Sequence, residues 1–474
     1  MKICIKPFLT GIAIATTLTL VGCGDFLDVN DDPNNSLEAP AQGLVSSTTF
    51  ETAQNMYRMG SVTSYYVQYL GSPNPATATD IQDPVSYDDQ WSALYNVLTD
   101  LTDLEIMAEE EGATAYVGIA KILKALNLAT LVDAWGDVPY SEAFFAETLN
   151  PSYDSQEALY EEIFTLLEDG LAALRAPNST IVPGDEDFIY AGDLEKWERL
   201  GYFLRARYLN HFSSQPSYDP QAILAAVDSA FAGNDDDAQV GYYPEEQNPW
   251  GIVAEENAGL ILGGWLSEQI VTHMNGETYG VFDPRIEAFT DTTDAGEYVG
   301  VRNGAGRGEA PAEGAFSVLT ANTFYAQETS PILIATFAEQ KFIEAEAALA
   351  AGQTSRAYQA YLDGIEAHMD KMGVDESAKQ DYMSAPEVAV GEGGLTIDLI
   401  MKEKYVAMFL HPEAWVDARR YDYQYEGMEL PLNLNPALGG EFIRRLAYPD
   451  SETQRNSGNV PDVELTDRLI WDAP

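Results

Sequence analysis

Apolar and aromatic residues recur at helical intervals over most of this chain, a spacing that gathers them on one face of an α-helix. Over 41–70 these positions are Leu44, Tyr57, Val62, Tyr65, Tyr66 and Tyr69, which predicts one or two helices. Over about 88–110 they are Trp91, Leu94, Tyr95, Leu98, Leu101 and Leu104. Residues 113–135 are the most apolar stretch beyond the N-terminus; Lys121, Lys124 and Asn127 interrupt it, so it reads as a buried helix and not as a membrane span. Gly136 and Pro139 supply its stop. Asp154, with Glu157 as capping-box partner, predicts the start of a helix bearing Leu159, Ile163, Leu166, Leu167, Leu171 and Leu174, ended by Pro177. Asp193 caps a helix with Trp197, Leu200, Leu204 and Tyr208. Asp219-Pro220 opens another with Ile223, Val227 and Phe231, closed by Gly233.

Two segments break the pattern. Residues 71–89, with Pro73, Pro75 and Pro84, predict an exposed loop leading into Trp91. Residues 234–329 are rich in Gly, Asp, Asn, Pro and Thr, with weak helical periodicity outside about 256–274; long irregular regions in a helical body are usually functional. Helices resume at Ser330-Pro331, read as cap and first helical residue, and run through Phe337, Phe342 and Ala345 to a stop at Gly352. A second helix from Ser355 carries Tyr358, Tyr361, Ile365 and Met369, and the two together have the outline of a tetratricopeptide-type hairpin. Thr396 caps a last helix to about Leu410, and the tail from 411 reads as irregular.

The N-terminus adds an address. Lys2 and Lys6 precede an apolar segment over 8–20, too short to span a bilayer, which has the layout of a secretory signal. Leu20-Val21-Gly22-Cys23 resembles a bacterial lipobox, which predicts removal of residues 1–22 and lipid on Cys23. Residues 23–40 then form an acidic, turn-rich tether, and 41–474 the folded body. Within that body 41–233 and 330–410 form the helical scaffold, 234–329 the irregular ligand side and 411–474 the tail.

Composition narrows the chemistry. Cys4 and Cys23 are the two cysteines, so the body has no disulfide, thiolate metal site or cysteine nucleophile. With 76 acidic and 25 basic residues the net charge is −51, which excludes nucleic acid and disfavours a polyanionic ligand. His211, His273, His368 and His411 show no metal or acid–base spacing, and no nucleophile elbow or phosphate loop is present. No enzyme is expected.

Five strings, in order, carry a family resemblance: 28–34 (Asp-Val-Asn-Asp-Asp-Pro-Asn), 133–140 (Asp-Ala-Trp-Gly-Asp-Val-Pro-Tyr), 413–420 (Glu-Ala-Trp-Val-Asp-Ala-Arg-Arg), 444–449 (Arg-Arg-Leu-Ala-Tyr-Pro) and the closing Ile470-Trp471-Asp472. Behind a lipobox, this order resembles the SusD/RagB family of Bacteroidetes outer-membrane lipoproteins, nearest its SusD-like branch. The resemblance implies a mostly α body with tetratricopeptide-like helix pairs and a loop-rich lobe. It also implies capture of a nutrient, usually an oligosaccharide and sometimes a peptide, for a SusC-like TonB-dependent transporter. A helical-repeat scaffold that binds nothing is the alternative from another class.

Sugars are held by flat apolar faces ringed with polar groups, so aromatics in loops are the natural candidates. Tyr87 and Trp91 rank first on that rule, followed by Trp250, Trp265, Tyr279, Tyr298 and Tyr325. Trp135, Trp197 and Trp415 read as core, and Glu413–Arg420 as a structural arginine–aromatic cluster. No cofactor is expected, although the oxygen-rich 184–187 (Gly-Asp-Glu-Asp) and Asp235-Asp236-Asp237 are possible calcium sites.

Overall fold

In the computed structural model, residues 40–145, 148–258, 263–311 and 313–472 are described; the signal-like segment, Cys23 and the tether to residue 39 lie outside the described residues. One 26-residue helix, α1 (Ala41–Tyr66), replaces the one or two expected over 41–70. It lies against α2 (Asp88–Glu111) and α3 (Thr114–Trp135). Its buried face includes threonines, and these return their hydroxyls to the preceding turn: Thr48 Oγ1 donates to Leu44 O at 2.7 Å and Thr63 Oγ1 to Met59 O at 3.1 Å.

Helix α3 is long and apolar enough to cross a membrane by length and composition, yet nearly all of it is buried in this body. Its polar interruptions are spent internally. Asn127 Nδ2 donates to Thr52 Oγ1 at 3.0 Å and Lys124 Nζ to Glu105 Oε2 at 2.8 Å. Helix α4 (Gln156–Leu174) crosses α3 where two glycines meet. A Cβ on Gly118 would stand 2.6 Å from Leu174 Cγ, and one on Gly170 would stand 3.2 Å from Gly118 O. The cap of α4 is Ser155, one residue later than expected; Asp154 instead accepts from the Tyr140 and Ser141 amides at 2.8 Å each and closes the preceding loop.

Asp193 and Asp219 cap α5 (Leu194–His211) and α6 (Pro220–Val227) as the sequence predicts. Helix α6 stops well short of Gly233, and Phe231 lies beyond it, stacked 4.8 Å from Phe203. Among the described residues four short strands form two antiparallel pairs: β1 (Leu70–Gly71) with β3 (Trp265–Leu266), and β2 (Ala238–Val240) with β4 (Ile332–Ala335). The last corrects the expectation at Ser330-Pro331. Ile332 and Ile334 are β-branched and bury themselves in a strand, and Thr336 caps the helix that follows.

The irregular region holds α7 (Pro249–Ala258), α8 (Glu268–Met274) and a 3₁₀ turn at Pro284–Ala288, so helicity falls either side of β3 and not as one run over 256–274. Helices α9 (Phe337–Ala350) and α10 (Thr354–Met372) form the expected hairpin, with Gly352 at φ +71° between them. They are followed by α11 (Glu376–Met383) and α12 (Ile397–Ala407), the latter capped by Thr396. The tail is less irregular than expected: α13 (Glu413–Arg420) and α14 (Asp450–Arg455) lie within it.

Four of the five strings meet in the core, brought together from far apart in the chain. Trp135 Nε1 donates to Ala447 O at 3.0 Å, and Trp471 Nε1 to Asp133 Oδ1 at 2.8 Å. The buried Arg419 guanidinium lies over Trp415 at 3.7 Å and Trp471 at 4.7 Å, and donates to Asp133 O at 2.7 Å. Glu413–Arg420 is therefore a structural staple, as its composition predicts.

Candidate functional site

The two first-ranked aromatics sit in the core. Trp91 is buried on α2, 5.2 Å edge-on to Trp135 and 5.0 Å from Tyr95. Tyr87 is buried, its hydroxyl 2.8 Å from that of Tyr66. Trp250 is buried edge-on to Tyr57 at 4.9 Å, and Trp265 is buried in β3, 5.5 Å from Phe316. Tyr325 is buried among Phe289, Phe324 and Phe409. None of these five offers a free ring face, which corrects the reading of them as a loop platform: the irregular region has a core of its own, and its largest rings fill it. Tyr279 is half-buried against His273 at 4.6 Å, with Lys402 Nζ 4.8 Å above its ring.

Tyr298 is the exception. It is half-buried beside Phe282, with ring centroids 6.1 Å apart, and Phe282 is 44% exposed. Phe282 stands on a cleft of about 610 Å³ lined by Phe324 and Tyr382, the amides Asn322 and Gln327, and the carboxylates Glu287, Asp375 and Asp381. The structure thus gathers an exposed phenylalanine, backed by a half-buried tyrosine, and a set of hydrogen-bonding groups. Phe282 and Phe324 were legible only as two scattered aromatics. The available signal was that Phe282 immediately precedes Asp283-Pro284, a cap and proline that start a turn and leave the residue before them at the surface.

The floor is rigid for an electrostatic reason. Asp283 caps the 3₁₀ turn, accepting from Arg285 N at 3.0 Å, and its other oxygen receives Arg285 Nη2 at 2.5 Å. The buried Arg285 also pairs with Glu403, and Tyr382 Oη donates to Glu403 Oε1 at 2.7 Å. Burial by itself would raise the Glu403 carboxyl, but Lys402 and Arg285 hold it well below the usual carboxylate range. Asp375 caps α11 through the amides of Ser377 and Ala378, and these bonds with the Ser377 hydroxyl lower its pKa. Glu287 and Asp381 form no ion pair among the described residues and are free to meet a ligand.

Thr278, close in sequence to Val281 of the cleft, belongs to a smaller polar groove of about 280 Å³ with Gln68, Gln269 and Arg302. Asp80 ties the 71–86 loop to this face. Its buried carboxylate accepts from Asn303 Nδ2 at 2.7 Å and Gly304 N at 2.6 Å; burial outweighs those bonds and pushes it up to about 6.

The oxygen-rich strings are largely committed elsewhere. Asp187 accepts from the Ile189, Tyr190 and Gly192 amides and from Trp197 Nε1, and Glu186 from the Tyr116 hydroxyl. Asp236 pairs with Arg199, and Asp237 with Lys371. One buried trio, Asp133, His211 and Glu413, has metal-like spacing among the described residues. Its atoms are already engaged: Asp133 receives Tyr160 Oη at 2.5 Å and Trp471 Nε1, and His211 Nε2 contacts Glu413.

A family described as "Starch-binding associating with outer membrane" matches residues 33–449. The chain belongs to this SusD-like family. No curated protein matches it. A SusD/RagB family protein from Bacteroides thetaiotaomicron superposes with a TM-score of 0.75 at 22% identity, covering 92% of this chain and 99% of that one. A chitin-binding SusD homolog from Flavobacterium johnsoniae gives a TM-score of 0.76 at 21% identity over 90% of this chain and 98% of that one. Another chitin-binding protein gives 0.74 at 22% identity, covering 92% and 100%. These similarities share the mostly helical SusD-like fold.

Proposed function

We propose that this protein is an outer-membrane lipoprotein, anchored through Cys23, that captures an oligosaccharide and passes it to a SusC-like TonB-dependent transporter without bond chemistry. Membership of a family described as starch-binding and outer-membrane-associated supports the location and the nutrient class. The single observation that carries the sugar reading is Phe282, exposed beside Tyr298 at the mouth of a cleft walled by carboxylates and amides. An aromatic face takes the C–H face of a pyranose, and Glu287, Asp381, Asn322 and Gln327 can meet its hydroxyls.

Calorimetric titration of the mature chain with maltooligosaccharides and chitin oligosaccharides tests this, with a tripeptide mixture as the contrast. Phe282→Ala is expected to weaken the oligosaccharide that binds by about tenfold, the loss of one stacking face. Unchanged affinity in Phe282→Ala removes this cleft, and binding of the peptides alone moves the protein to the peptide-capturing branch.

A further inference from the structure

A second cleft shares no residue with the first. It opens between α1, the 185–191 loop, the start of α5 and the segment after β2, and encloses about 850 Å³. One wall is aromatic. Phe50 stands 6.4 Å edge-on to Phe188 and 5.8 Å from Tyr242, while Phe188 and Tyr243 leave 43% and 65% of their surface in water. Two large exposed rings on one cleft are a cost that a ligand would recover.

The same lining is negative. Asp185, Asp235 and Glu246 belong to it, Glu246 paired through the backbone with Tyr243, and none forms an ion pair among the described residues. Asp187 and Asp237 lie beneath, committed to backbone amides and Lys371. Lys196 is the one lysine or arginine in the lining, and its Nζ is spent on Asp235 O at 2.6 Å. An anion is repelled here. The chain's own 24–39 segment, with five acids and no base, is a poor occupant for the same reason. A neutral sugar would use the rings and leave three carboxylates idle. A protonated amine over a ring face, with carboxylates beside it, uses both sets of groups.

We infer that this cleft is a second glycan subsite, selective for amino sugars that carry a free ammonium group. The sugar half of this inference rests on the glycan-capture reading above; the ammonium half rests on the exposed rings and unpaired carboxylates that share this cleft. The rings take the pyranose faces, and Asp185, Asp235 and Glu246 take the ammonium groups.

The test titrates the mature chain with the glucosamine trisaccharide and its N-acetylated counterpart, at mildly acidic pH and low salt. The free-amine trimer is expected to bind at least about tenfold tighter, a preference that shrinks with added salt. A triple variant, Asp185→Asn with Asp235→Asn and Glu246→Gln, should lose the preference, Tyr243→Ala should weaken both trimers, and Phe282→Ala should leave the preference intact. Equal affinities, no binding of the amine trimer, or a preference that survives the triple variant overturns the inference. Loss of the preference in Phe282→Ala overturns it too, by moving the effect to the first cleft. Full displacement by a lysine trimer makes the cleft a basic-peptide site and overturns the sugar assignment. Failure of the capture reading shows separately, as neutral oligosaccharides indifferent to Phe282→Ala.

Discussion

At the scale of single residues, the rule that loop aromatics are exposed does not separate Tyr298 from the rings that fill the core. Trp91 follows a proline-rich loop, yet it points into the α1–α3 core and meets Trp135. Its removal should read as stability and not as binding. Trp91→Ala is expected to cost about 3–5 kcal/mol in urea unfolding while leaving ligand affinity of the folded fraction unchanged. A binding loss in Trp91→Ala without a stability loss would contradict that placement. The sequence shows which residues are large and apolar, but a ring exposed at the rim and a ring buried beneath a loop look alike until the chain closes. Phe282 could be singled out only through its place before Asp283-Pro284. Conversely, Arg419 between Trp415 and Trp471 was readable as structural, because an arginine beside a tryptophan and acids in one short helix has few other uses.

At the scale of elements, periodicity and caps fixed most helices, and the misses have local causes. Ser155 displaced Asp154 as the cap of α4 because Asp154 was needed by the Tyr140 and Ser141 amides. Ser330-Pro331 looked like a helix start because the following Ile332–Ala335 is too short to show a strand period, and its partner β2 is remote in sequence. The α3–α4 crossing could not be read from either helix alone. Gly118→Val should force Leu174 or Gly170 apart and cost about 1–3 kcal/mol or more, measured as a lowered urea midpoint; an unchanged midpoint would mean the helices do not meet there.

The 71–86 loop is held by Asp80, whose burial pushes its carboxyl up to about 6, above the ordinary aspartate value of 3.8. A raised carboxyl contributes stability that is fully present below about pH 4 and lost as pH rises through about 6, worth about 2–3 kcal/mol over that interval. Asp80→Asn removes this titration. The stability gap between wild type and variant should therefore change between pH 4 and 7 in urea titrations, and parallel pH profiles would contradict the latch. Glu403 works in the opposite sense. Held low by Lys402 and Arg285 against its burial, it supports the fold above the ordinary glutamate range and lets go only as pH falls well below it.

At the scale of the whole molecule, the class and family were legible because their signals are distributed. Helical periodicity runs through most of the chain, and the strings that meet around Trp135, Arg419 and Trp471 carry the resemblance through their order and not singly. The cleft proposed to hold the ligand draws in part on the irregular region 234–329, but no site could be read there from sequence. That cleft is completed by Met372, at the end of the α9–α10 hairpin, and by Asp375 and Asp381 of the α11 segment, all in a stretch that reads as scaffold in sequence. The charge of −51 sets what can approach: it disfavours polyanions, and the unpaired Asp185, Asp235 and Glu246 add to that locally.

Hydrogen exchange on the mature chain, with and without a saturating bound oligosaccharide, asks most directly where a glycan sits. Added protection is expected over 281–288, 322–327 and 372–382, the three segments that wall the Phe282 cleft. Protection confined to other segments, or none with ligand demonstrably bound, would contradict the account.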